Sequence, residues 1–391
     1  MKTAPVFVAL ACLSAPALAQ TDVFTIDIDP MQSAFTWSGT TDIGAITPMP
    51  TDAFVLSGTV ELELAPGADA VSMGQFVGGD LQLTPEFAGI IVNPISPLFP
   101  PVATLSVSGQ RISVTSPPFA IAANGDFTAI VTLSNTAGDI TVNALGTTMT
   151  SSLIGNPSAP TPFTGTLTLG EYGFDIDGPI TASFTFIDPG TTVSGAFTIV
   201  GILAGDHSGL YAPTFCAGDG GDQVGCTDCP CTNNAPIGSR GGCLNGALQS
   251  AQLIASGGAG VTTGDLHFIM TGGTPTAFGV LLSGAARAPG NPMNPCFGLD
   301  TGLQSLSFDG MRCVVQSLRR HGGRPSDANG DIGVTTNGWG PPNGPMNGIA
   351  TQGGFVAGQA RNFQVIYRDS PMSQCGRGLN TSNGVTIGFV L

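Results

Sequence analysis

An all-β chain made of two antiparallel β domains is predicted by three observations. The 391 residues include 57 Gly and 30 Pro, and both residue types interrupt helices. No stretch carries an apolar repeat at helical spacing over any useful length. Several short stretches instead alternate apolar and polar residues, the period of a strand buried on one face.

The chain opens MKTAPVFVALACLSAPALAQ. Lys2 supplies a positive start, Val6 to Leu13 an apolar run, and Ala17-Leu18-Ala19 a small-x-small cleavage site. Residues 1–19 therefore read as a secretory signal peptide, too short to span a bilayer. Cleavage after Ala19 leaves Gln20 at the mature N-terminus. No later window is long and apolar enough to cross a membrane, and the C-terminal GVTIGFVL has no basic flank. The expectation is a soluble protein without a transmembrane anchor, exported by a bacterium and secreted, periplasmic or held at the cell surface.

Residues 20–210 form the first expected domain. In VELEL, Val60, Leu62 and Leu64 point one way and Glu61 and Glu63 the other; FTAIVTLS (127–134) and TASFTFID (181–188) alternate similarly. AFTIVGIL (196–203) is apolar enough to predict burial on both faces. Pro66-Gly67, Asn124-Gly125 and Asp188-Pro189-Gly190 are turn signals, and NPISPLFPPV (93–102) must be loop or edge because Pro cannot donate to a ladder. An acidic antiparallel barrel or sandwich follows.

Residues 211–246 are a Cys-rich connector belonging to the C-terminal module, and 247–391 read as a second β-sandwich. Its strands are LHFIMTG (266–272), AFGVLLSG (277–284), FQVIYRD (363–369) and VTIGFVL (385–391), with a Gly/Pro/Asn-rich loop system over 321–360.

Charge is distributed unevenly. The only Lys is Lys2, and residues 21–215 hold 17 Asp or Glu against one Arg, Arg111. A lysine-free acidic half argues against nucleic acid or an anionic membrane as partner. The charge is read as keeping an exported protein soluble.

Without Cys12 of the signal peptide, eight cysteines remain: Cys216, Cys226, Cys229, Cys231, Cys243, Cys296, Cys313 and Cys375. An even number in an exported chain reads as a disulfide framework. Cys226-x-x-Cys229 is half of a zinc knuckle, but the second close pair such a site needs is missing. A thioredoxin-like role needs the pair to open a helix, and Pro230 with its Gly/Asp surroundings offers none.

The run FCAGDG (215–220), then CPCTNN (229–234), then Gly242-Cys243 resembles a Cys-rich module of secreted planctomycete-type bacterial proteins. The similarity continues through Ala277-Phe278-Gly279, Met311-Arg312-Cys313, Phe363-Gln364, Tyr367-Arg368-Asp369, Cys375 and Ser382-Asn383-Gly384, covering about 211–391. It implies a six-cysteine β-sandwich with no assigned activity. Cys226 and Cys296 are additional to that pattern and are therefore expected to pair with each other; Cys313 is expected to pair with Cys375. FTIDIDPMQSAFTWSG (24–39) is similar to the opening of the YceI-like family, exported barrels whose apolar cavity binds polyisoprenoid lipid. The reading preferred for this domain is a barrel or sandwich filled by its own side chains.

Chemistry-bearing groups are few. His207, His267 and His321 are the only histidines. His267 alternates with Leu266 and Phe268 and belongs on a polar face, and His321 sits in RRHGGR (319–324), read as a solvated basic loop. No nucleophile motif, metalloprotease motif or phosphate loop is present. Asp327-Ala-Asn329-Gly-Asp331 has the alternation of a calcium loop, but the sixth and twelfth positions are Ile332 and Gly338, so an Asx-rich turn is preferred to a metal site. Asp175 and Asp177 face one way on a strand, yet the only tryptophans, Trp37 and Trp339, lie in different domains, which gives a sugar cleft little support. The sequence thus predicts a non-catalytic structural or adhesive protein without cofactor, its partner unknown and left open between a cell-envelope component and a hydrophobic ligand. The alternative is a carrier of lipid or another small hydrophobic ligand through the N-terminal barrel.

Overall fold

In the strand Ala53–Ala65, Val60, Leu62 and Leu64 are buried and Glu61 and Glu63 lie on the opposite face, as their alternation requires. The computed structural model describes residues 22–65, 73–93, 95, 99–144, 146–187, 194–220, 228–290, 302–304, 307–341, 348–369, 373 and 375–391. Residues 1–19, read from the sequence as a signal peptide, Cys226, Cys296 and the turn signals at 66–67 and 188–190 lie outside them.

All strands from Asp22 to Ser208 belong to one antiparallel sheet whose pairings return on themselves. Asp126–Ala144 pairs with Thr161–Leu169, that strand with Gly173–Ile187, and that one with Ser194–Ser208. Ser194–Ser208 then pairs with Asp22–Ile28 and Ala34–Thr41, which run end to end as one stave. Both of these pair with Ala53–Ala65, and the ring continues through Met73–Thr84 and Ala103–Thr115 back to Asp126–Ala144. A sheet closed in this way is a barrel, and closure removes the exposed edges around the ring. The Asn124-Gly125 turn is real: Gly125 has φ +91°, and a Cβ there would stand 2.1 Å from the Leu167 carbonyl oxygen.

One face of every stave feeds a single apolar core. Phe163 is fully buried, its ring 5.8 Å from Phe76 and 5.4 Å from Phe127. In a second aromatic group the Trp37 ring lies 4.9 Å from Phe87, tilted to it, and meets Phe197 edge-on at 5.7 Å. Beside Gln110 and Asn135 the core leaves about 10 Å³, room for roughly one water. Gln110 Oε1 has no protein partner there, so the space is polar. The expectation that 196–203 is buried on both faces is corrected. Val200 and Ile202 face outward and are each 49% exposed, because a closed barrel has one dry side.

From Thr214 onward the chain forms separate sheets. The largest has the order Thr214–Phe215, Leu379–Gly388, Ala360–Arg368, Phe278–Gly284, Arg319–Pro325. Against it lies the hairpin Gln252–Ser256 with His267–Thr271, extended by bridges from Phe268 to Trp339 and from Met270 to Ile332. Leu253, Phe268 and Met270 share one buried cluster with Leu281, Phe363 and Val385, so the two layers form a sandwich. RRHGGR is not a loop. It is the edge strand Arg319–Pro325, where Gly and polar side chains are tolerated because one side of the strand has no ladder partner. The 321–360 region also contains the helix Gly348–Gly353, so it is less irregular than its composition predicts.

Among the described residues three disulfides staple this module: Cys216–Cys313, Cys229–Cys243 and Cys231–Cys375, with Cα–Cα distances of 5.8, 5.8 and 5.6 Å. The expected Cys313–Cys375 pair is therefore corrected. Cys216 follows the edge strand Thr214–Phe215 directly, and Cys313 Sγ approaches the backbone oxygens of Cys216 and Ser382. Sheet order thus brings Cys216 to Cys313 and leaves Cys375 for Cys231. The expected Cys226–Cys296 bridge falls outside the described residues. Barrel and sandwich meet through several polar contacts. Asp22 Oδ2 accepts from the Thr214 backbone N–H at 2.9 Å, and Arg240 Nη1 lies 2.7 Å from Asp22 Oδ1. The Tyr172 hydroxyl donates to Asp265 at 3.0 Å, which holds the phenol proton and pushes its pKa up to about 12.

Candidate functional site

The structure assembles one catalytic-looking constellation that the sequence hides. Ser283, on the strand Phe278–Gly284, and His321, on the neighbouring edge strand, are hydrogen-bonded between Oγ and Nε2 at 2.7 Å. His321 Nδ1 is 3.3 Å from Gln352 Oε1 in the short helix. A Ser–His–amide arrangement of this order could relay a proton if a substrate reached the serine. Both groups are closed to solvent here: Ser283 is 1% and His321 2% exposed, and the imidazole packs in a triangle with the Phe355 and Phe363 rings. The expectation of a solvated histidine is corrected, since His321 is on the inward-facing side of its strand. The arrangement is a satisfied polar pair inside the sandwich.

Burial holds the His321 pKa below its ordinary value; the Gln352 hydrogen bond opposes this and the Arg319 guanidinium adds to it. The folded protein therefore takes up this proton less readily than the unfolded chain. Stability from the neutral imidazole is complete above the unfolded pKa of about 6.5 and falls as pH drops below it. Between pH 7.5 and 5.5 the sandwich is therefore expected to lose stability. Urea midpoints across that range check this, with His321→Gln expected to flatten the slope.

The other histidines are local fixtures. His267 is half-buried between Leu266 and Phe268 as its alternation requires, with Nε2 2.8 Å from Ser256 Oγ. His207 Nδ1 bonds the Thr25 carbonyl at 2.8 Å. In the calcium-like loop, Asp327 Oδ1 accepts from the backbone N–H groups of Asn329 at 2.8 Å and Asp331 at 3.0 Å. Asp327 Oδ2 accepts from the Thr335 hydroxyl, and Asp331 Oδ1 from the Gly272 N–H at 2.9 Å. The hydroxyl of Thr335 and these amides hold the Asp327 carboxyl below the ordinary range. Its oxygens cap the turn, which is the geometry of an Asx-rich loop. Cys229 of the knuckle-like pair is committed to Cys243.

The most distinctive surface lies on the outer wall of the barrel. Asp175 and Asp177 are there, as expected from their strand, and the fold brings others to them. Asp175 sits directly opposite Asp206, and Asp206 directly opposite Asp27, so three carboxylates form one row across three strands. Asp177, Asp29 and Gln32 extend this surface, and a groove of about 550 Å³ runs beside Asp175, Asp177 and Asp206. Partial burial, then the Asp206 and Asp177 charges, raise the Asp175 pKa. Like charges directly opposite in an antiparallel pair destabilise the sheet. Asp206→Asn is therefore expected to stabilise the barrel by roughly a few tenths of a kcal/mol at low salt, and less at high salt. It should also let Asp175 titrate at lower pH. Thermal melts at two salt concentrations and carboxyl NMR titration check both. No group of His, Cys, Asp or Glu among the described residues is arranged to hold a metal ion. No helix among them is long and apolar enough to cross a membrane.

No family model, curated protein or solved structure matches this chain.

Proposed function

We propose that this is an exported, non-catalytic structural or adhesive protein of the cell surface or extracellular space. The observation that carries the reading is the filled barrel. Its lumen is occupied by Phe, Leu, Ile and Val side chains, with about 10 Å³ left beside Gln110 and Asn135. A lipid-carrying barrel needs a cavity of several hundred Å³. The signal-like N-terminus, the disulfides of the sandwich and the resemblance of 211–391 to a secreted planctomycete-type module support export.

A carrier reading keeps one foothold away from the lumen. A crevice of about 650 Å³ lies between barrel and sandwich, walled by Ile121, Leu167, Leu169, Phe389 and Val390. Native mass spectrometry of the protein from its exporting host separates the two. The structural reading expects a bare chain whose denatured mass, without reductant, is about eight daltons below the all-thiol value, four bridges at two hydrogens each. A co-purifying apolar adduct would replace it with the carrier reading.

A further inference from the structure

Next to the aspartate row, the barrel wall carries a broad outward area without a charged side chain. Its central row runs Thr181–Val200–Thr36 across three adjacent strands. Pro179 opposite Ile202 forms the row on the acidic side, and the row on the far side adds only Ser and Thr. Ile130, 46% exposed, continues the apolar character two strands away. The nearest carboxylates along these strands are Asp177, two residues from Pro179, and Asp206, four residues from Ile202.

Five strands at their usual spacing, over seven residues of length, give a footprint of about 500 Å². The face is uncharged rather than wholly apolar, Ser and Thr surrounding Val200, Ile202, Pro179 and Ile130, and its extent is that of the largest patch on a typical monomer. Its chemistry excludes several occupants. A carbohydrate face needs exposed aromatic platforms, and both tryptophans are buried, Trp37 at 4% and Trp339 at 1% exposure. Nucleic acid and anionic membranes need cations, and residues 21–215 hold only Arg111. A cationic partner would prefer the aspartate row.

A second copy of this chain satisfies the constraints. Two such faces are alike, uncharged and able to oppose each other about a two-fold axis, as in an isologous contact. Elsewhere two copies of a chain with net charge −15 repel. We propose that the Val200–Ile202 face is where two copies pair. The total buried area of about 1,000 Å² is the lower bound of specific interfaces, so the dimer is weak and concentration-dependent. This inference is independent of the role proposed above.

Sedimentation equilibrium of the exported chain over roughly 10 to 200 µM tests it. The expected result is monomer–dimer exchange that strengthens with salt, because screening relieves repulsion while the apolar contact persists. Val200→Lys is expected to weaken the dimer about tenfold or more by burying an unpaired charge. Thr36→Lys should do the same from an exposed position, so it decides the matter if Val200→Lys does not fold. Asp206→Asn, outside the face, should leave the dimer intact or tighten it. A chain that is monomeric at every concentration and salt, or a dimer indifferent to both lysines, overturns the proposal. A monomer retained on insoluble polysaccharide or on vesicles would overturn it too, and would assign the face to that partner.

Discussion

Replacing Cys216 and Cys313 together by alanine is expected to destabilise the C-terminal sandwich by about 3–5 kcal/mol, the entropy of closing a long loop in the unfolded chain. The bridge spans 97 residues. The surviving Cys231–Cys375 bridge shortens that loop modestly and the expected Cys226–Cys296 bridge shortens it more, which sets the low end of the range, but loop size enters only logarithmically. The substitution adds little polar cost. Gln364 Nε2 lies 2.9 Å from Cys313 Sγ but also donates to the carbonyls of Met311 at 2.9 Å and Ser382 at 2.8 Å, which remain. Differential scanning calorimetry should show the sandwich transition falling while the barrel transition stays, because residues 21–215 contain no cysteine. Reductant should separate the two transitions further. A loss below about 1 kcal/mol would mean that the unfolded sandwich is already held compact by other means.

Phe163→Ala is expected to cost the barrel about 3–5 kcal/mol. The ring is fully buried in the aromatic group with Phe76 and Phe127, where little can collapse into the space. The variant should retain the fold, unfold at lower urea and acquire affinity for a small apolar probe such as benzene or xenon, as dry engineered cavities do. Phe163→Leu should cost less than half as much. A mild loss with no probe binding would indicate a lumen that rearranges readily, reviving a barrel able to open for a ligand.

The barrel strands could be read from the sequence because the closed sheet has one dry and one wet face. Val60, Leu62 and Leu64 carry that signal, as do Phe127, Ala129 and Val131. Residues 196–203 misled because Val200 and Ile202 are apolar on the wet face, and hydrophobicity alone cannot say which side a residue takes. The edge strand at 319–325 was hidden by its Arg and Gly content, which an unpaired edge tolerates. Pairings across sheets were out of reach. Ser283 and His321 are 38 residues apart and share no motif, and Cys216 finds Cys313 only because sheet order places their segments together. The aspartate row was half visible: Asp175 and Asp177 share a strand, whereas Asp206 and Asp27 join them through register.

The barrel's single Arg has a consequence for its survival among proteases. Arg111 lies within Ala103–Thr115, its backbone flanked by Gln82 on one neighbouring strand and by Ala137 on the other. A trypsin-like protease must draw an extended segment into its cleft, which a residue paired on both sides cannot supply without local unfolding. With no lysine after residue 2, enzymes that cut at basic residues find no other target from 21 to 215. The folded barrel should therefore outlast such enzymes, and its lifetime among them should be set by how often the ring opens.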